Sequence, residues 1–232
     1  MRRMIVTIDG PAGVGKSTAA KGLARRLGLR YLDTGATYRA LAFAARKAKI
    51  NPVTNVGRLA RLARELPLEL CMETSGDVRV CLDGQDITRA IRTEQVSEAA
   101  AQLSRHGRVR QILVRFQRKL ANKHGVVAEG RDTGSVVFPD APYKFFLDAD
   151  PAVRARRRQR ELFQLSGTRP PLERIRQQLH FRDGVDRTRR VGALVVPRGA
   201  ITIDTSELTE SQVVHAMLQH IHPEHVDAHL LS

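Results

Sequence analysis

The chain has no tryptophan, and tyrosine and phenylalanine together make up only ten of its 232 residues. A core must therefore come mainly from Leu, Val, Ile and Ala. There are too few aromatics for a stacking platform of the kind that holds single-stranded nucleic acid. Cysteine is equally scarce: Cys71 and Cys81 only. That excludes a disulfide-dense secreted scaffold. The two flank Gly76-Asp77 and could face each other across a hairpin; we read them as buried thiols in a reducing compartment. No apolar run nears the ~20 residues of a membrane span. Met1-Arg2-Arg3-Met4 leads directly into a strand, leaving no room for a signal peptide. A cytoplasmic location without a membrane partner is the expectation. Acids are also short, 24 against 39 Lys and Arg, a net charge of +15. Such an excess means a solvated basic surface or anionic ligands. No zinc-finger spacing, ribonucleoprotein aromatic motif or long basic tail is present, so nucleic acid is not an expected partner. The His220-Ile221-His222-Pro223-Glu224-His225 stretch reads as a solvated tail rather than a metal site.

What is present is organised around Gly10-Pro11-Ala12-Gly13-Val14-Gly15-Lys16-Ser17-Thr18. This fits G-x-x-x-x-G-K-[ST], the phosphate-binding loop. Ile5-Val6-Thr7-Ile8 before it has the look of a buried strand. After it, Ala19/Ala20, Leu23/Ala24 and Leu27 recur at helical spacing. The glycines let main-chain N–H groups approach an anion. The helix start adds positive dipole and unpaired donors. Lys16 can reach the β- and γ-phosphates, and the Ser17 hydroxyl can ligate Mg²⁺. Nucleoside triphosphate binding follows.

Further core strands are expected at Leu29–Leu32, Gly125–Ala128, Tyr143–Leu147 and Ala200–Ile203. Helices are expected at about Tyr38–Lys49 (capped by Thr34 or Thr37), Val56–Leu66, Ile91–Ala101, Val109–Asn122, from Pro151, and at Glu210–His222 after Thr209. Leu68–Glu73 and Val78–Leu82 read as short antiparallel strands, with tight-turn signals at Thr74–Asp77 and at Asp83-Gly84. Strands alternating with helices predict an α/β fold: a five-stranded parallel sheet covered on both faces, with a small antiparallel lobe inserted. Ligands gather at the carboxyl ends of such strands. Those ends carry Asp9-Gly10, Asp33-Thr34, Glu129-Gly130-Arg131-Asp132 and Asp148.

The loop alone does not choose among ATPase, GTPase, motor and kinase. No Asn-Lys-x-Asp signature of a GTPase is present. Glu129, the nearest metal-binding acid of a motor ATPase, is followed closely by an arginine. The chain instead supplies scattered arginines: Arg39, Arg110, Arg131, then twelve arginines against four acids between residues 152 and 190. A transferring phosphoryl group spreads charge over its oxygens, and stabilising it requires several cations around it. Arginine grips phosphate bidentately, which lysine does not.

These residues sit in segments that resemble the bacterial cytidylate kinases, of the nucleoside monophosphate kinase family. The likeness runs through Ile8–Thr18, Leu32–Arg39, Ile91-Arg92-Thr93, Arg108-Val109-Arg110, Gly130–Pro139 and Arg182–Arg189, in family order, with the insert between about 66 and 92. The resemblance implies one domain over 1–232: a core of 1–37 and 104–232, an acceptor-binding lobe of 38–103 and a lid at 152–170. It implies ATP on Gly10–Thr18 with Mg²⁺ on Ser17, and Asp33 or Glu129 acting on the metal through water. Arg110 and Asp132 would read the cytosine. Arg39, Arg131 and Arg189 would hold the acceptor phosphate, Asp186 with Arg182 the ribose. Thr34 keeps the hydroxyl of a position where serine is common. Arg154, Arg157 and Arg158 fall in the lid, and Lys16, Arg39, Arg131, Arg157 and Arg189 form the implied catalytic set. Ala101 stands where many relatives have a serine that touches the cytosine; Ser97 and Ser104 are a turn away. The expected activity is ATP-dependent phosphorylation of CMP and dCMP by a monomer. The rival readings are a UMP, AMP or other small-molecule kinase, and a nucleic-acid-binding protein regulated by nucleotide.

Overall fold

The computed structural model describes residues 4–52, 54–72, 78–122 and 125–222. The turn at Thr74–Asp77 and the tail residues Pro223, Glu224 and His225 lie outside them. Among the described residues a five-stranded parallel sheet forms the centre. It is built from β1 (Ile5–Asp9), β2 (Arg30–Asp33), β6 (Val126–Glu129), β7 (Tyr143–Asp148) and β8 (Ile201–Asp204), in the order β2-β6-β1-β7-β8. Alternation along β6 shows why both faces are covered. Val127 packs with α1 (Lys16–Arg26) and α8 (Glu210–Leu218) on one side. Val126 and Ala128 pack with Val114 and Ala121 of α5 (Gly107–Ala121) on the other. The parallel register aligns Asp33 with Glu129 and brings the strand ends to one edge.

A second core lies beside the sheet. It joins α2 (Thr34–Lys47), α3 (Val56–Glu65), α4 (Glu94–Leu103) and the first half of α5 to an antiparallel sheet. That sheet is β3 (Leu68–Met72), β4 (Val78–Leu82) and β5 (Gln85–Asp86). The strand β5 is absent from the sequence reading; two polar residues give no period, and only the turn at Asp83-Gly84 hints at it. Both turn residues have positive φ, 51° and 72°. Cys81 is opposite Glu69 and Cys71 opposite Arg79, so the cysteines are diagonal neighbours rather than a facing pair. Both are free thiols, with sulfurs 3.6 Å apart; Cys81 is buried, Cys71 half-buried.

Several boundaries differ from expectation for local reasons. Helix α2 starts at Thr34, because the Asp33 carboxylate accepts from Ala36 N (2.9 Å) and caps it. Thr34 and Thr37 cannot cap: their hydroxyls donate to Glu129 O and Thr34 O, each at 2.7 Å. Helix α4 begins at Glu94 after a single 3₁₀ turn, Ala90–Arg92, since Thr93 accepts from Val96 N. Gly107 opens α5 instead of preceding it. Thr209 and Gln212 form a capping box at the start of α8, which ends at Leu218 rather than His222.

The basic stretch resolves into a helical hairpin, α6 (Pro151–Ser166) and α7 (Leu172–Thr188). Arg154 Nη1 meets Asp183 Oδ2 at 2.5 Å, the side chains 10% and 9% exposed, and also reaches Ala12 O at 3.3 Å. The pair ties the hairpin together beside the phosphate loop. Asp183→Ala would leave a buried guanidinium without its counter-charge, costing about 3–5 kcal/mol. A lowered urea midpoint in equilibrium unfolding would show it; an unchanged midpoint would contradict it.

Candidate active site

Strand β1 runs straight into the phosphate loop. Gly10, at φ 149°, lies so close to the end of β7 that a side chain would meet the Leu147 carbonyl. Gly15 occupies the N-cap of α1 at φ 92°, and no side chain caps this helix. Its leading N–H groups are therefore presented to a ligand, the arrangement that binds phosphate. Lys16, 6% exposed, folds back over the loop and donates to Pro11 O at 2.6 Å. Burial pushes its pKa down to about 7, and the neighbouring Arg131 charge pushes the same way.

The end of β6 supplies the facing wall. Asp9, buried at the end of β1, accepts from Thr133 N (2.8 Å), Thr133 Oγ1 (2.7 Å) and Gly134 N (2.7 Å). It thereby fixes the turn that carries Arg131 and Asp132. Arg131 Nε meets Asp186 Oδ2 at 2.8 Å, and Arg189 Nη2 meets Asp186 Oδ1 at 3.0 Å. Burial alone would raise the Asp186 pKa; Arg131, then Arg189, outweigh it and hold the group below its usual value. Arg39 Nη2 meets Asp33 Oδ2 at 2.6 Å. Arg182 has its pKa pushed down to about 10, by burial first and then by Arg131, and it also feels Arg158 and Arg39. Lys16, Arg39, Arg131, Arg158, Arg182 and Arg189 thus crowd one edge, with Asp9, Asp33, Glu129 and Asp186 among them as carboxylates. The surplus is positive, which suits an anion of several charges.

Arg110 and Asp132 form a direct ion pair, buried to 2% and 9% exposure. Burial raises the Asp132 pKa while Arg110 opposes the rise. Arg110 Nη1 reaches Ser104 O at 3.4 Å, and its buried Nε has no protein partner. Gly192, at φ 69°, crosses directly over the pair, where any side chain would collide with both residues. Near Ala101, Ser104 is buried beside Arg110 and donates to Ala101 O at 2.7 Å. Ser97 is turned back onto Thr93 O.

Arg157 stands apart from this arginine cluster, against the phosphate loop and Thr205. Its guanidinium donates to Thr205 Oγ1 (2.9 Å) and Thr205 O (2.5 Å), with Val14 O at 3.4 Å. Its neighbour Arg158 is the one whose charge reaches Arg182. Tyr31 and Gly192 escaped the sequence reading, and so did the structural roles of Asp9 and Asp183. Only Asp9 had a signal, an acid ending an apolar strand just before the loop.

Asp33 and Glu129, the two candidate metal-binding carboxylates, are not equivalent. Asp33 accepts from Ala36 N through Oδ1 and from Arg39 through Oδ2. Glu129 accepts from Tyr31 Oη at 2.6 Å through Oε1 and lies near the Ser17 hydroxyl. Burial, then the Asp33 charge, raises the Glu129 pKa.

A parallel sheet whose central strand feeds an uncapped glycine loop and a lysine, walled by arginines, defines a P-loop phosphotransferase. The cytidylate kinase profile matches residues 6–223. The cytidylate kinase of Caldanaerobacter subterraneus is 43% identical over 216 residues, covering 93% of each chain. That of Klebsiella pneumoniae is 42% identical over 93% of this chain and 94% of its own. That of Mycobacterium leprae is 43% identical over 92% and 93%. The chain belongs to the cytidylate kinase family.

Proposed function

We propose that the chain transfers the γ-phosphoryl group of ATP to CMP, and to dCMP, by direct in-line displacement. The observation that carries this is the adjacency of two features. One is the cation-rich edge around the uncapped phosphate loop. The other is a buried Arg110–Asp132 pair with a donor, Arg110 Nε, still unmet. Cytosine offers an amino donor to a carboxylate, and its N3 and O2 accept from a guanidinium. Uracil reverses the pattern at two of these atoms, so a buried polar site rejects it.

In this reading Gly10, Pro11, Ala12, Gly13, Val14, Gly15, Lys16, Ser17 and Thr18 hold ATP. Arg39, Arg131 and Arg189 position the acceptor phosphate, whose oxygen is already ionised and needs no strong base. Asp186, with Arg182, takes the ribose, and Thr34, whose hydroxyl donates to Glu129 O, completes the substrate-binding set. Arg157 is bound to Thr205, and a catalytic part for it depends on its release. Residues 38–103 form the acceptor-binding lobe and 152–170 the lid. The lid hairpin faces the lobe across a cavity of about 810 Å³ lined by Arg92, Arg169 and Arg174. Glu94 and Gln178 hydrogen-bond across it. Closure there would exclude water, which competes as acceptor.

The donor set fits Mg²⁺, a hard cation that takes oxygen ligands and keeps several waters. Ser17 is exposed at the head of α1, with the Glu129 carboxylate beside it. When bound, the ion would neutralise phosphate charge. The protein's own part is to fix those oxygens and to supply Lys16 and the arginines. The chain acts in the cytoplasm, as a monomer, in pyrimidine metabolism. Among the described residues no helix is long and apolar enough to cross a membrane.

The test is ADP formation from ATP with CMP, dCMP, UMP or AMP as acceptor. The cytidine nucleotides should be turned over at least ~100-fold more efficiently than UMP or AMP. Comparable rates with all four would overturn the reading.

A further inference from the structure

Tyr31 occupies a core position of β2, 6% exposed, with its ring in the central apolar cluster and the Lys21 ammonium 5.8 Å from the ring centroid. Phenylalanine would fill that space equally well. The hydroxyl is what needs explaining, since a buried O–H requires a partner. It has one: Tyr31 Oη donates to Glu129 Oε1 at 2.6 Å, with the Ser17 hydroxyl nearby. Strand pairing makes the contact reproducible, because β2 and β6 run in register with Tyr31 two residues from Asp33, the partner of Glu129. The Asp33 oxygens accept instead from Ala36 N and Arg39.

We propose that Tyr31 is a positioning residue for the donor-site metal: its hydroxyl pins one oxygen of Glu129 and thereby aims the carboxylate at Ser17. This rests on the reading of Ser17 and Glu129 as the residues that hold Mg²⁺. A carboxylate on a flexible side chain must otherwise be fixed at the moment the ion arrives. Hydrogen-bond partners of metal-holding side chains commonly change metal affinity about 10–100-fold.

The test is Mn²⁺ binding to the full-length protein with ATP, followed by electron paramagnetic resonance. ATP affinity without divalent ion is measured alongside by calorimetry. Tyr31→Phe should weaken Mn²⁺ binding about tenfold. Metal-free ATP affinity and the circular dichroism spectrum should stay as in the wild type. Glu129→Gln should weaken Mn²⁺ binding by itself, and Tyr31→Phe added to it should then have no further effect. Unchanged Mn²⁺ binding in Glu129→Gln would remove the metal reading and the proposal with it. Weakening by Glu129→Gln but not by Tyr31→Phe would overturn the Tyr31 proposal alone. An equal Tyr31→Phe effect with and without the Glu129 carboxylate would make the hydroxyl merely structural, and would overturn it too.

Discussion

Asp132→Asn should lower kcat/KM for CMP on the order of 10²–10³-fold while leaving the KM for ATP within about twofold, the loss expected when one partner of a buried, hydrogen-bonded charge pair is neutralised. The asparagine keeps the shape of the side chain and can still accept from the cytosine amino group. What it removes is the charge that balances Arg110, a guanidinium only 2% exposed. The acceptor base then has to compete for a misaligned Arg110. UMP should suffer less than CMP. The Asp132 carboxylate repels uracil O4, whereas an asparagine amide can donate to it, so the CMP-to-UMP ratio should shrink. Alanine would be a poorer test, because the empty volume and the unpaired arginine would also destabilise the fold. Steady-state kinetics with both acceptors decides the matter. Equal losses toward ATP and CMP would place Asp132 outside the acceptor pocket.

The same pair shows what a sequence can and cannot carry. Gly10–Thr18 was legible because glycine spacing, a β-branched strand before it and a helical period after it are all local. The five core strands were legible for the same reason: each is a short apolar run with a turn signal at its carboxyl end. Arginines at those ends could be marked as anion ligands from type and position. Their partners could not. Arg157 and Arg158 are adjacent on α6, some 100° apart around the helix, and nothing local says which one turns toward Arg182. The Asp33 carboxylate is divided between the cap of α2 and Arg39, a division no local pattern announces. Glu129 differs only by what surrounds it, a tyrosine from the neighbouring strand. Asp9 reaches 124 residues along the chain to hold Thr133. Gly192 is required by the side chains beneath it, not by its own turn alone. In each case the deciding contact joins segments far apart in sequence, where periodicity and propensity carry no information.

Lys16→Ala should reduce kcat on the order of 10³-fold or more with the fold intact, since it removes a preorganised cation from the transferring phosphates. The structure adds a proton-linked consequence. With its pKa pushed down to about 7 by burial and by Arg131, the Lys16 amine is mostly neutral above that pH in the nucleotide-free protein. A bound triphosphate places several negative charges beside it and restores the proton. The sign follows: below pH 7 the lysine is already charged and binding takes up nothing there. Above pH 7, ATP binding must draw one proton from solvent, and affinity should fall about tenfold per pH unit until the bound-state pKa is reached. The measurement belongs at pH 8.5, where the γ-phosphate of free ATP is fully ionised and does not contribute. Calorimetry in two buffers of different ionisation enthalpy should show an uptake of close to one proton in the wild type and none in Lys16→Ala. Arg131→Ala should shift the onset upward, because one of the two causes of the depressed lysine would be gone. Binding at pH 8.5 without proton uptake would mean that Lys16 stays charged in the empty loop, and that its fold-back onto Pro11 O is the resting state of an ammonium.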